Sequence, residues 1–251
     1  MNHCLNNAEK SALKYYTGDI SGNDPFYSEP KAYLVLNSLF YDGISTEKAR
    51  SAEGKFLNPV ILDDVDRLLD FYDNIFSAFR KCHAENDIIT YRVERFSDYI
   101  FIKQSEKTVS FTSTSTAGFL KEYQDRKGIA LMKFLIPVGT ACISMTEVLD
   151  VYKKSEEAEI LLPPFMSLNI TEVPVSDTEK SITDADGKSP VVSCIAKCGK
   201  IHISERKKNI SHEGAKAGQR IYTALNNGTN PSEQDITLYC EWKNLFRELY
   251  L

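Results

Sequence analysis

The chain has 251 residues, 42% of them hydrophobic and 26% charged, with a formal net charge of -5. That is the usage of a protein that folds around its own core, and the acidic balance argues against binding nucleic acid by bulk electrostatics, though not against a local basic patch. No apolar run approaches the roughly 20 residues of a membrane span, and Met1 to Leu13 lacks the apolar core of a signal peptide; the expectation is a cytoplasmic protein, or one delivered into a target cell without a cleaved signal, and no membrane partner.

Residues 7 to about 85 read as mostly helical. Ala8 to Tyr16 is a short amphipathic segment ending at Gly18, and Lys31 to Tyr41 carries apolar residues at helical spacing before a stop at Gly43. Val60 to Cys82 is the strongest helix, with Ile61, Val65, Leu68, Leu69, Tyr72, Ile75, Phe76 and Phe79 in one stripe. Asp63 and Asp64 occupy its first turn, where the helix dipole favours them.

After Asn86 the texture changes to short β-prone runs separated by turn residues: Asp87 to Arg92, Tyr99 to Ile102, Val109 to Ser115, Ala130 to Ile136, Thr140 to Ile143 and Ala158 to Leu162. Asn169 to Val175 and Val191 to Ile203 supply two or three more, joined by a polar stretch in which Thr183 to Lys188 reads as an exposed turn. Beyond the basic cluster Arg206 to Lys208, the segments His212 to Leu225 and Ser232 to Leu249 read as helices. They would bury Ile221, Leu225, Leu238, Trp242, Leu245, Phe246 and Leu249. Helices, then strands, then helices favours an α+β fold over alternating βαβ units.

Six cysteines are spread too thinly for a disulfide framework and read as reduced thiols. Cys194, Cys198 and His202 would share one face of a strand, but over a span too long to close around one ion. Buried thiols are the reading, and no metal is expected.

Three strand-borne features stand in order. Arg92 ends the run Ile88-Ile89-Thr90-Tyr91-Arg92, Ser113-Thr114-Ser115 follows Phe111, and Glu157-Ala158-Glu159 opens a run ending in Leu161-Leu162-Pro163-Pro164. On a strand the two glutamates, two positions apart, would share a face. Each feature alone has an ordinary structural reading; the combination is specific.

With Tyr91-Arg92, Phe111-Thr112-Ser113-Thr114-Ser115, Phe134-Leu135-Ile136-Pro137-Val138-Gly139-Thr140 and Glu157-Ala158-Glu159, the chain resembles the Arg-Ser-Glu group of ADP-ribosyltransferases, which includes cholera-toxin-like and binary-toxin-like enzymes. Ala12-Leu13-Lys14-Tyr15-Tyr16-Thr17-Gly18 and Asn37-Ser38-Leu39 look like the family's helical opening. The resemblance runs from about Ala8 to about Glu172. It implies N-terminal helices packed on two short-stranded mixed β-sheets, in a domain of residues 1–205 (helical lobe 7–85, β core 86–205). The C-terminal helical extension, 206–251, lies beyond the resemblance; its helices would pack on the core, and an antitoxin or inhibitor could dock there.

The resemblance also implies NAD as co-substrate and roles for particular residues. Glu159 would stand beside the cation-like ribose as the nicotinamide bond breaks. Arg92 would bind the pyrophosphate or adjacent ribose through its planar fork. Ser113 would hold the strand and Glu159 in register, with Thr114 and Ser115 completing the motif. Backbone groups at Val93, where the family usually has glycine, would hold the nicotinamide amide. Glu157 would orient an acceptor guanidinium, with Tyr152 as the aromatic of the acceptor loop beside Lys153 and Lys154. Tyr123 and Arg126 would line a loop over the phosphates.

The acceptor stays open. Protein arginine follows from the Glu-x-Glu pattern; an RNA or DNA base follows from Lys153, Lys154 and the Arg206 cluster; water would give simple NAD hydrolysis. A catalytically dead binding module of the same fold is the alternative of another class.

Overall fold

A computed structural model describes residues 5–17, 36–37, 39–40, 64–119, 127–149 and 158–250, without the side chain of Arg247. In chain order the elements are helices α1 (Asn7–Thr17) and α2 (Val65–Lys81), strand β1 (Ile88–Arg95), helix α3 (Phe96–Ser105), strands β2 (Thr112–Ser115), β3 (Ile129–Ile136) and β4 (Ile143–Ser144), the short helix α4 (Met145–Val148), strands β5 (Glu159–Leu162), β6 (Leu168–Val173) and β7 (Val192–Cys198), and helices α5 (Glu213–Asn226) and α6 (Glu233–Glu248). The class is α+β. The chain divides into two compact units, one from Phe79 to Ile201 and one combining Leu5–Ala78 with His202–Leu251.

In the helical unit, Asn6 and Glu9 cap α1 reciprocally: the Asn6 side chain accepts from the Glu9 amide at 2.9 Å and the Glu9 carboxylate from the Asn6 amide at 2.8 Å. The other Glu9 oxygen accepts from the Ser77 hydroxyl of α2 at 2.7 Å, which ties the two helices together. Asp64 caps α2 by accepting from the Arg67 amide; Val60 to Asp63 lie outside the described residues. The α2 stripe is buried as its spacing requires, and Phe76 stacks on Tyr250 with centroids 4.0 Å apart. Helices α5 and α6 thus belong to the same unit as α1 and α2. Ile221, Trp242, Phe246 and Leu249 are buried, whereas Leu245 is exposed and Leu225 and Leu238 are only partly covered. The buried stripe of α6 runs through Ile236, Tyr239, Trp242, Lys243 and Phe246, so the two leucines fall off its edge.

Among the described residues the other unit is a seven-stranded mixed sheet of order β4-β5-β2-β1-β3-β7-β6, in which β3 and β7 run parallel and the other pairs antiparallel. The two sheets expected from the sequence are two blocks of this one sheet. Strands β1 and β3 pair along eight residues, but β1 meets β2 at a single pair, Tyr91 with Ser115. That one bridge is the seam between the blocks.

Tyr99 to Ile102, expected as a strand, lies instead in α3. Tyr99 and Ile102, three residues apart, bury one side of a helix, and Glu106 ends it in the left-handed region at φ 51°. Packing has overridden the β preference of the aromatic and branched residues. The Tyr99 hydroxyl donates to Glu172 at 2.7 Å and Lys103 pairs with the same carboxylate at 2.6 Å, so α3 is tied to edge strand β6.

Asp184 also departs from expectation. It is buried rather than exposed, and its carboxylate accepts from the amides of Gly128, Asp186 and Lys188 at 2.8–2.9 Å. The turn is therefore pinned to the start of β3, and those hydrogen bonds, led by the one from Gly128, hold its carboxyl below the usual range.

Candidate active site

Strand β1 extends to Arg95, so Arg92 lies inside it rather than at its end. Alternation puts Thr90, Arg92 and Glu94 on one face and Tyr91 and Val93 on the other. The Arg92 guanidinium is nevertheless aimed at β2: Nη1 donates to the Ser113 carbonyl at 2.6 Å, and Nε pairs with Glu94. Beyond the single Tyr91–Ser115 bridge, an arginine side chain takes the carbonyl that a strand partner would ordinarily take.

On β2, Ser115 stands in register with Glu159 of β5, and Ser113 with Leu161. Tyr91, Ser115 and Glu159 therefore form a row across three strands, with side chains on one face of the sheet. Glu159 is 6% exposed and lies at the first position of β5, whose four residues are all buried. The Thr114 hydroxyl donates to the Ile160 carbonyl at 2.9 Å, and the Ser115 hydroxyl accepts from the Ala117 amide at 3.0 Å. The motif residues thus lock β2 to β5 and turn the chain after Ser115.

Glu157 and Tyr152, with Lys153, Lys154, Tyr123 and Arg126, lie outside the described residues. Strand β5 begins at Glu159, and Ala158 adopts φ 45°, in the left-handed region, with its carbonyl accepting from the Thr116 amide at 3.2 Å. The strand alternation of β5 is therefore described from Glu159 onward.

Val93 fills a small core with Ile129 and Leu131, against which Phe119 and Ile182 pack. The branched side chain has its own place on the sheet, and its backbone position in β1 is retained through pairing with Leu131. Phe119 also meets the Tyr91 ring edge-on at 5.0 Å, so the segment leaving β2 packs on the Tyr91 end of that row.

Two charged residues of this region went unread in the sequence. Glu94 is 5% exposed and pairs with Arg92; its signal was the Arg-x-Glu spacing on one strand face. Glu179 accepts from Lys133 at 2.7 Å, from the Ser176 amide at 2.8 Å and from the Ser193 hydroxyl at 3.2 Å. Burial pushes its carboxyl up, but the bonds from Lys133 and Ser176 outweigh that and hold it at about 2. Lys133 pairs in register with Tyr91, so this network continues the same row.

Among the described residues no group of three or more histidine, cysteine or acidic side chains could hold a metal ion. In the basic cluster, Arg206 is paired with Asp73 at 3.0 Å and Lys208 with Glu248 at 3.2 Å. No helix among the described residues is long and apolar enough to cross a membrane.

No family model and no curated protein matches the chain. Solved structures do. The C3 exoenzyme of Clostridium limosum is 15% identical at a TM-score of 0.48, over 79% of this chain and 88% of that one. The ADP-ribosylating toxin BECa of a C. perfringens binary enterotoxin, solved with NADH, is 18% identical at 0.47, over 78% of this chain and 44% of that one. Exoenzyme S of Pseudomonas aeruginosa, solved with human 14-3-3 protein beta and carba-NAD, is 16% identical at 0.45, over 76% and 74%. At this distance the roles of individual residues have to be read from this chain's own geometry.

Proposed function

We propose that the chain is an NAD-dependent mono-ADP-ribosyltransferase that cleaves the nicotinamide–ribose bond and transfers ADP-ribose to a macromolecular acceptor, as a toxin or effector would. The observation that carries this reading is that an arginine, a Ser-Thr-Ser strand and a buried glutamate stand on three adjacent strands, with Arg92 bonded to the Ser113 carbonyl and Ser115 in register with Glu159. The residues fit NAD. A guanidinium fork suits the pyrophosphate, and a largely buried carboxylate gives full electrostatic weight beside a ribose that becomes cationic.

In this reading NAD supplies the ADP-ribosyl group. Arg92 binds and orients the anionic portion; Glu159 accepts a hydrogen bond from the ribose 2′-hydroxyl and stabilises the positive charge that develops as nicotinamide leaves. Ser113, Thr114 and Ser115 keep β2 in register with β5, so that Glu159 does not drift. The Val93 backbone meets the nicotinamide amide. Glu157 and Tyr152 serve the acceptor, protein arginine being favoured by the Glu-x-Glu pattern.

The test is nicotinamide release from NAD by the purified protein and by Glu159→Gln, which keeps shape and removes the charge. The substitution should lower release by about a hundredfold or more; release near the wild-type rate would overturn the mechanism. Label from NAD taken up in a lysate, then challenged with protease or nuclease, identifies the acceptor class.

A further inference from the structure

We propose that Glu94 is a positioning residue of this site, holding the Arg92 guanidinium in the orientation in which it meets NAD; this rests on the reading of Arg92 as the NAD ligand. The Glu94 side chain is 6% exposed, against 25% for that of Arg92, so the pair is not a solvated surface bridge. A carboxylate this buried requires a partner, and it has one in Arg92, two residues back on the same strand face.

For an arginine that must attract a diphosphate, an adjacent carboxylate is a poor choice on charge alone, because it opposes the anion. It makes sense as an orienting group. Glu94 grips Nε from β1 while the Ser113 carbonyl grips Nη1 from β2. Two bonds at different corners fix the plane of a rigid fork, and they do so across the seam that the Tyr91–Ser115 bridge alone closes. Lysine at 92 could keep the charge, but its ammonium is a point charge on a flexible stem with no plane for the two acceptors to fix.

A double-mutant cycle on NAD affinity, read by titration calorimetry, tests this. Glu94→Gln should weaken NAD binding about tenfold, the scale of one lost charge-assisted bond. Arg92→Lys should weaken it too, and the double variant should bind no more weakly than Arg92→Lys alone, because without the fork Glu94 has nothing to orient. Multiplying losses, or wild-type or tighter binding by Glu94→Gln, would overturn the proposal while leaving Arg92 as a ligand. Unchanged affinity in Arg92→Lys would overturn the parent reading and this one with it. Should Glu94→Gln fail to fold, Glu94→Asp keeps the charge and shortens its reach; it should show a smaller loss in the same direction, and wild-type affinity there would overturn the proposal.

Discussion

Cys142, Cys194 and Cys198 are buried in the sheet unit, and burial pushes each thiol up to about 12. At pH 8 almost none is thiolate, the reactive form. Iodoacetamide followed by mass spectrometry should leave all three unmodified in the native protein and alkylate them in urea; rapid native labelling would show that the strands open. The thiols were legible from sequence, since they sit at apolar positions of β-prone runs. The strands that carry Arg92, the Ser-Thr-Ser run and Glu159 were legible too, because strands announce themselves by period. Glu94 was not. A glutamate followed by Arg95 on an otherwise mixed strand looks solvated until the neighbouring strands enclose it.

Among the helices, α5 and α6 meet closely at Gly214. A Cβ added there would lie 2.0 Å from the Trp242 Cβ and 2.2 Å from its Cγ, and the indole is itself buried and set edge-on to Phe246 at 4.7 Å. Trp242 cannot yield without disturbing that packing. Gly214→Ala should therefore destabilise the protein by about 1–3 kcal/mol, the usual cost of overpacking, in spite of alanine's better helix propensity. Chemical denaturation checks the sign: a variant as stable as wild type would mean that the helices can separate there at little cost. The existence of both helices could be read from their apolar spacing and from Ser232, which caps α6 by accepting from the Asp235 amide at 3.1 Å. Which residues of α6 face inward could not. Leu238 and Leu245 are as apolar as their neighbours, and only the position of the packing partner puts them off the stripe.

For the molecule as a whole, acid stability should depend on Glu179. Its folded carboxyl is held at about 2, below the ordinary 4.5. A lowered folded value contributes stability that is complete above about 4.5 and is lost as pH falls towards about 2. Glu179→Gln should cost about 2 kcal/mol at neutral pH, the scale of hydrogen bonds to a charged group, and should flatten the fall in urea midpoint over that acid window. An unchanged acid profile would mean that other carboxylates dominate. This bridge fastens the 176–190 segment to β3 and β7, partners some 46 and 14 residues away in the chain. The sequence by itself determined the α+β order, the strands that carry Arg92, Ser113 to Ser115 and Glu159, and the helical stripes, because period and capping are local properties of a chain. Only the tertiary structure decided that β2 lies between β1 and β5, that one bridge joins the two blocks into a single sheet, that Tyr99 enters a helix, and that Glu94, Glu179 and Asp184 are enclosed. Strand neighbours and the burial of a charge are settled by hydrogen bonds and contacts between residues far apart in the chain, which a local pattern does not encode.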